Sequence, residues 1–261
     1  MSGTERNKEI LEETLNLEDN PLFVKTAGVL EDLEIPYWLD QGTLLGLVRE
    51  GRLLAGDHDI DLGVFFADYR LKRKELAKRL KADGVFVETA KPHQFSVSDL
   101  YGRYKMVNVA FYRIENRRAV KKVYHPRGGK LFHALEGLVL VCAHGAAGSL
   151  EAKLLRRETL EAKNFRTFFK KSLFFCLKVV PKSLFSLLGR LAGRARYFLR
   201  PYKLMGVPKE HFLQLEYVSL GQKKVPVPGE KENYLALKYG DDWRLPKDEW
   251  DFFVDDGAIT D

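Results

Sequence analysis

Residues 42–65 read GTLLGLVREGRLLAGDHDIDLGVF, and this stretch decides the fold. Asp57, Asp59 and Asp61 recur at every second residue directly before an apolar run. Alternation on a strand puts such side chains on one face. Three crowded carboxylates raise one another's pKa unless a positive charge sits among them. Upstream, Gly42-Thr43 forms a turn whose hydroxyl is placed to cap a helix running from Leu44 to Arg49, with Gly51 ending it. Such a helix start offers backbone N–H groups and the positive end of a dipole, a site for phosphate. The strand beside it offers oxygen ligands for Mg²⁺, which takes one or two carboxylates and completes its shell with phosphate and water. Side by side, the two parts hold a metal-bound di- or triphosphate. Arg49 and Arg52 bring forked donors that suit phosphate, and Asp40 adds a further carboxylate. The plainer alternative is a solvated acidic turn and an ordinary cap. Against it, Asp59 and Asp61 alternate with Ile60 and Leu62 and run straight into apolar sequence, where charge is costly.

Working outward, residues 7–15 read as a polar helix and 22–33 as an amphipathic one. A short strand is predicted at 37–40 after Pro36, and the strongest early strand at 59–66. Residues 68–82 form a surface helix capped by Asp68 and closed before Gly84. Strands follow at 84–88, 94–98, 104–112 and near 118–124. This order predicts an α/β or α+β layer, a mixed sheet with helices on one face. From about 149 the pattern turns helical, over 149–163 and 165–200, and 218–261 is rich in turns and aromatics. A boundary near residue 145, in HGAAGS, gives a core of 1–145 and a helical C-terminal region of 146–261.

The 261 residues are 45% hydrophobic and 30% charged, a globular composition. The net charge of +7 suggests a polyanionic partner, and the surplus is concentrated in 153–203. Cys142 and Cys176 are too few for a disulfide framework, and the ligand clusters of a zinc site are absent. No secretory signal is visible at the N-terminus, and the longest apolar run is broken by Lys178, Pro181 and Lys182. These features predict a cytoplasmic protein. Asn164 to Lys203 interleaves aromatics with Lys and Arg; it fits either a helix packed on the core or a peripheral contact with the inner face of a membrane. No nucleic-acid-binding motif accompanies the charge. The six histidines lack metal spacing, and His58 faces away from its aspartate neighbours.

WLDQGTLLGLVREGRLLAGDHDIDLGVF resembles the signature of the LicD family, which includes bacterial phosphocholine transferases and the vertebrate fukutin proteins. VPVPGEKENYLALKYGDDWRLP resembles the family's C-terminal block, and the two bracket residues 25–248. The resemblance implies a nucleotidyltransferase core of the polymerase β type. It also implies a Mg²⁺-dependent enzyme, with Mn²⁺ as the alternative ion. A phospho-alcohol of the phosphocholine or ribitol-phosphate class moves from a CDP-linked donor to a hydroxyl of a cell-surface glycan, such as a lipopolysaccharide or teichoic acid, free or lipid-linked, and CMP departs. Residue by residue, Asp59 and Asp61 are the metal ligands, with Asp57 beside them in the catalytic group. Gly42 and Thr43 hold the donor phosphate, with Arg49 close by. YGDDW, at 239–243, is either a packed turn or a cover over the site. One departure stands out: Asn108, in VNVAF, occupies the place of a family carboxylate, and an amide cannot take a proton from a hydroxyl. Asp57 or Asp40 then supplies the base, or the chain is an impaired binding relative. The other rival is a nucleotidyltransferase attacking an α-phosphate.

Overall fold

The computed structural model describes residues 16–124 and 200–260, apart from 56, 83, 90, 222 and 248, together with Leu191. The expected helix at 7–15, both cysteines, the 145 boundary, the helices at 149–163 and 165–200 and most of the basic segment lie outside the described residues. The chain divides into two compact units, 1–123 with 203–261, and 124–202. Residues 203–261 thus fold with the N-terminal unit.

Helix α1 spans Pro21–Asp32, and the Asn20 side chain caps it by accepting from the N–H groups of Leu22 and Phe23. Strand β1 (Tyr37–Leu39) leads into α2 (Gln41–Glu50), and Gly51 closes α2 with a left-handed φ of 71°. Here the structure corrects the sequence expectation: Asp40, not Thr43, caps this helix, accepting from Gln41 N–H. Strand β2 (Asp59–Phe65) follows, then α3 (Phe66–Leu80). Asp68, expected as the cap of α3, lies inside its first turn, and the N-cap residue Phe65 makes no side-chain cap bond. Next come β3 (Val85–Glu88), β4 (Gln94–Asp99), β5 (Met106–Glu115) and β6 (Arg118–Tyr124). Asn116 and Arg117, both at positive φ, form the two-residue turn between β5 and β6. After the second unit the chain re-enters with β7 (Tyr202–Pro208), α4 (Glu210–Leu213), β8 (Glu216–Leu220), β9 (Lys223–Val227), α5 (Lys231–Tyr239) and β10 (Ile259–Thr260).

Eight of these strands form one mixed sheet in the order β1-β2-β5-β6-β7-β10, with β4 also paired to β5 and β3 to β4. The β2–β5 pair is parallel, placing Asp61 opposite Asn108, and its neighbours β1 and β4 run antiparallel to it. This is the α+β class expected. The alternation of β2 sorts the sheet into two faces. Ile60, Leu62 and Val64 are fully buried and share a face with Val109, Phe111 and Phe95. Tyr69 of α3 stacks on Phe111 and Phe95 there, so α3, with α1 beside it, covers this face. The other face carries Asp59, Asp61 and Asn108 and continues into a cluster of rings. Trp38 stacks on Phe212 at 4.2 Å and tilts against Tyr112 at 5.3 Å, and Phe212 meets Tyr234 of α5 edge-on. Each such pair adds about 0.5–1.5 kcal/mol beyond its buried area. Gly63 makes room for this cluster, since a Cβ there would lie 2.3 Å from Trp38 Nε1. The expectation of helices on one face holds for α1 and α3, while the ring cluster brings α5 onto the other. Among the described residues, no helix is long and apolar enough to cross a membrane.

Candidate active site

The three aspartates begin one edge of β2. Asp59 and Asp61 are strand residues two apart, so both project from the same face. Asp57 precedes the strand, and its carboxylate sits against the start of α2: a Cβ on Gly42 would lie 2.7 Å from Asp57 Oδ2. Gly42, at the start of α2, and the residues leading into the acidic strand are therefore adjacent. Gln41, immediately before Gly42, has a φ of 51°, uncommon for a residue with a side chain. Strain of that kind persists where the surroundings over-determine a geometry.

The positive charge that the acidic run demands is partly supplied by the chain itself. Lys105 is buried, and its ammonium donates to the Asp57 carbonyl close to the carboxylates of Asp57 and Asp59. It does not neutralise the group. Burial, and then the Asp57 charge and its shared hydrogen bond, push Asp59 up to about 6 against the relief from Asn108 and Lys105. Asp61 is driven well above the carboxylate range by burial first and by Asp59 second. These carboxylates are crowded beyond what the surrounding cations offset, an arrangement suited to receiving another.

Asn108 now has a defined part. Its Nδ2 donates to Asp59 Oδ2 at 2.5 Å, while its Oδ1 accepts from Ser96 Oγ at 2.8 Å and Gln94 Nε2 at 3.1 Å. The amide is thus held as a donor to Asp59, with its oxygen turned to β4. In place of another acid, the chain fixes the orientation of one it already has.

Asp40 is not available as a base. It is fully buried, and its Oδ2 accepts from Tyr112 Oη at 2.6 Å and Lys121 Nζ at 2.8 Å. Its Oδ1 accepts from Tyr234 Oη at 2.5 Å and from Gln41 N–H at 2.9 Å. Burial alone would raise its pKa; the charges of Lys121 and Lys238, with the bonds from Lys121 and Tyr112, outweigh it and hold the value at about 2. A second buried pair, Lys238 with Asp256 at 2.6 Å, lies behind it. Asp40 is a knot tying β1, β5, β6 and α5 to the start of α2.

Thr43 also differs from expectation. Its hydroxyl, predicted to meet phosphate, is fully buried and accepts from the Asp61 N–H at 2.8 Å. Thr43 therefore sets the register between α2 and β2 and does not face the site. Arg49 does line the site, although its guanidinium is shared with Glu50 at 2.8 Å.

These parts border a cavity of about 400 Å³. Gly42, Arg49, Asp57 and Asp61 form one wall; Tyr239, Trp243, Lys247 and Trp250 form the facing one. The C-terminal block thus contributes to the site, and YGDDW supplies Tyr239 and Trp243 to its wall. Burial, then the charges of Asp40, Asp256, Asp61 and Asp57, raise the Tyr239 phenol well above its ordinary pKa, keeping it a neutral donor. Sequence periodicity missed Lys105 and Lys121 because each reads as an ordinary strand-edge or exposed-face lysine. Only the pairing of β5 and β6 into the sheet buries them.

The site is thus an acidic strand beside a helix start, set in a mixed α+β sheet. Residues 34–133 match the family model described as LicD/FKTN/FKRP, nucleotidyltransferase domain. Over 42 residues it is 46% identical to ribitol 5-phosphate transferase FKRP of Mus musculus and of Homo sapiens, covering 16% of this chain. Over 49 residues, 19% of this chain, it is 43% identical to ribitol-5-phosphate transferase FKTN of Mus musculus. The matches span only 8% and 11% of the length of those relatives. Among solved structures, the antibiotic-resistance factor ANT(2'')-Ia aligns with a TM-score of 0.30 and 14% identity, over 68% of this chain and 91% of that one.

Proposed function

We propose that this protein transfers a phospho-alcohol from a CDP-linked donor to a hydroxyl of a glycan, with release of CMP. The observation that carries the reading is the cavity in which Asp57, set against Gly42 at the start of α2, and Asp61 face Arg49 and Lys247, with Asp59 crowding Asp57 and Asp61. Names of the relatives support a polyol phosphate such as ribitol phosphate as the transferred group.

Asp59 and Asp61 are the residues that would hold Mg²⁺, or Mn²⁺. Their crowded carboxylates, pushed upward in pKa by burial and by one another, fit a hard divalent ion that takes one or two carboxylates and completes its shell with phosphate and water. When bound, the ion supplies charge neutralisation on the donor phosphates. The start of α2 at Gly42 orients the diphosphate through backbone N–H groups, while Arg49 and Lys247 offset its charge from the cavity wall. The acceptor oxygen then bonds to the phosphorus bearing the alcohol, the bond from that phosphorus to the bridging oxygen breaks, and CMP leaves. Asp57 takes the acceptor's proton, since Asp40 is closed off and Asn108 is an amide. Asn108 keeps Asp59 aligned throughout.

The test is a panel of CDP-ribitol, CDP-glycerol and CDP-choline offered with glycan acceptors and Mg²⁺, with CMP measured. Turnover is expected with at least one donor and is lost in Asp61→Asn. Pyrophosphate release from CTP in its place, or full activity in Asp61→Asn, would overturn the reading.

A further inference from the structure

A second cavity of about 330 Å³ lies beyond the wall of the first, lined by Leu237, Tyr239, Lys247, Glu249, Trp250 and Asp255 with two glycines. Tyr239, Lys247 and Trp250 line both cavities, so the two share a partition. The chemistry of the outer one differs. It lacks the Gly42 turn and the strand acids, and presents two carboxylates, Glu249 and Asp255, beside an aromatic wall. Tyr239 and Trp250 form that wall with ring centroids 5.0 Å apart. Among the described residues Glu249 makes no ion pair or side-chain hydrogen bond, whereas Asp255 Oδ2 accepts from Asp251 N–H at 2.6 Å. The Trp250 indole Nε1 is buried and, like that of Trp38, has no hydrogen-bond partner among the described residues, whereas buried indole N–H groups ordinarily find an acceptor.

From this we infer that the outer cavity is a binding subsite for the acceptor sugar. Carboxylate oxygens accept from sugar hydroxyls, and the Trp250 and Tyr239 rings offer apolar surface to the C–H face of a pyranose or furanose ring. An anion is disfavoured there by Glu249 and Asp255, which separates this cavity from the phosphate-binding one. A sugar seated against the shared partition has a hydroxyl within reach of the inner cavity, where the donor phosphorus would lie. The inference rests on the transfer reaction for its biological sense, but the binding it asserts can be measured without turnover.

The chain has three tryptophans, so its ¹⁵N spectrum contains three indole N–H signals, and Trp250→Phe identifies the one from Trp250. Methyl glycosides of glucose, galactose, N-acetylgalactosamine, ribose and xylose, together with ribitol, are titrated into the full-length protein. At least one is expected to shift the Trp250 signal, with binding weakened about tenfold in Glu249→Gln, the size of one charge-assisted hydrogen bond. CMP and CDP-ribitol are titrated in parallel. A Trp250 signal that moves with nucleotide but with none of the sugars would reassign the outer cavity to the donor and overturn the inference. Silence toward every compound, or sugar binding unaffected by Glu249→Gln, would also overturn it. Sugar binding in a protein that releases no CMP from any donor would leave the subsite standing and sink the transferase reading alone.

Discussion

At the scale of single residues, Asp40 shows how a carboxylate beside an active site can serve structure alone. Its value of about 2 lies below the ordinary 3.8, so the stability it contributes is complete above about pH 4 and is lost as pH falls toward 2. The difference corresponds to about 2 kcal/mol. Urea unfolding between pH 2.5 and pH 5 should show that loss, and Asp40→Asn should flatten it. At neutral pH the same variant leaves Lys121 buried without its counter-charge and should cost about 3–5 kcal/mol, read from the same titrations. Gly42 tests the opposite case, a residue whose value is to the site. Gly42→Ala puts a methyl 2.7 Å from Asp57 Oδ2, and the end of a side chain can move where backbone cannot. Stability should change by less than about 1 kcal/mol while turnover falls about 100-fold, because a misplacement near 1 Å costs that much in positioning.

Among the elements, β2 is the one through which the others reach the site. Its outer half carries the acids and its inner half packs under Trp38, and Gly63 marks the change. Gly63→Ala would drive Cβ into the indole at 2.3 Å, displacing a ring already wedged between Tyr112 and Phe212. Overpacking of this kind costs about 1–3 kcal/mol or more, and thermal melts should register it with the strand carboxylates untouched. Much of this was legible from sequence. The elements from α1 to β6 fell within a few residues of their expected bounds, since their apolar periods were strong and their breaks were marked by Pro36, Gly51 and Gly84. The caps were not legible. Asp40, Thr43 and Asp68 each have the right chemistry for a helix start, and only the actual path of the chain decides which of them is at one.

For the molecule as a whole, the C-terminal strands and α5 complete a sheet begun over a hundred residues earlier, and Tyr234 fastens the two parts through Asp40. Tyr234→Phe removes one bond to a buried carboxylate and should cost about 1.5–3 kcal/mol in urea unfolding. Under the proposed function, Mg²⁺ with CDP-ribitol at 100 times its dissociation constant should stabilise the protein by about 2.7 kcal/mol, raising Tm by roughly 5–10 °C. Asp61→Asn should abolish that rise in a thermal-shift assay.

The sequence by itself determined the mixed α+β class and the strand that carries the acids, because these follow from local periodicity and from the breaks that Pro and Gly impose. The tertiary structure decided which polar residues face the cavity and which are sealed away. Thr43 and Asp40 went inward, Asn108 became a donor to Asp59, and Tyr239 and Lys247 arrived from the far end of the chain. The reason is physical: the role of a polar group depends on its burial and its partners, and both are set by residues distant in sequence that only the closed sheet brings together.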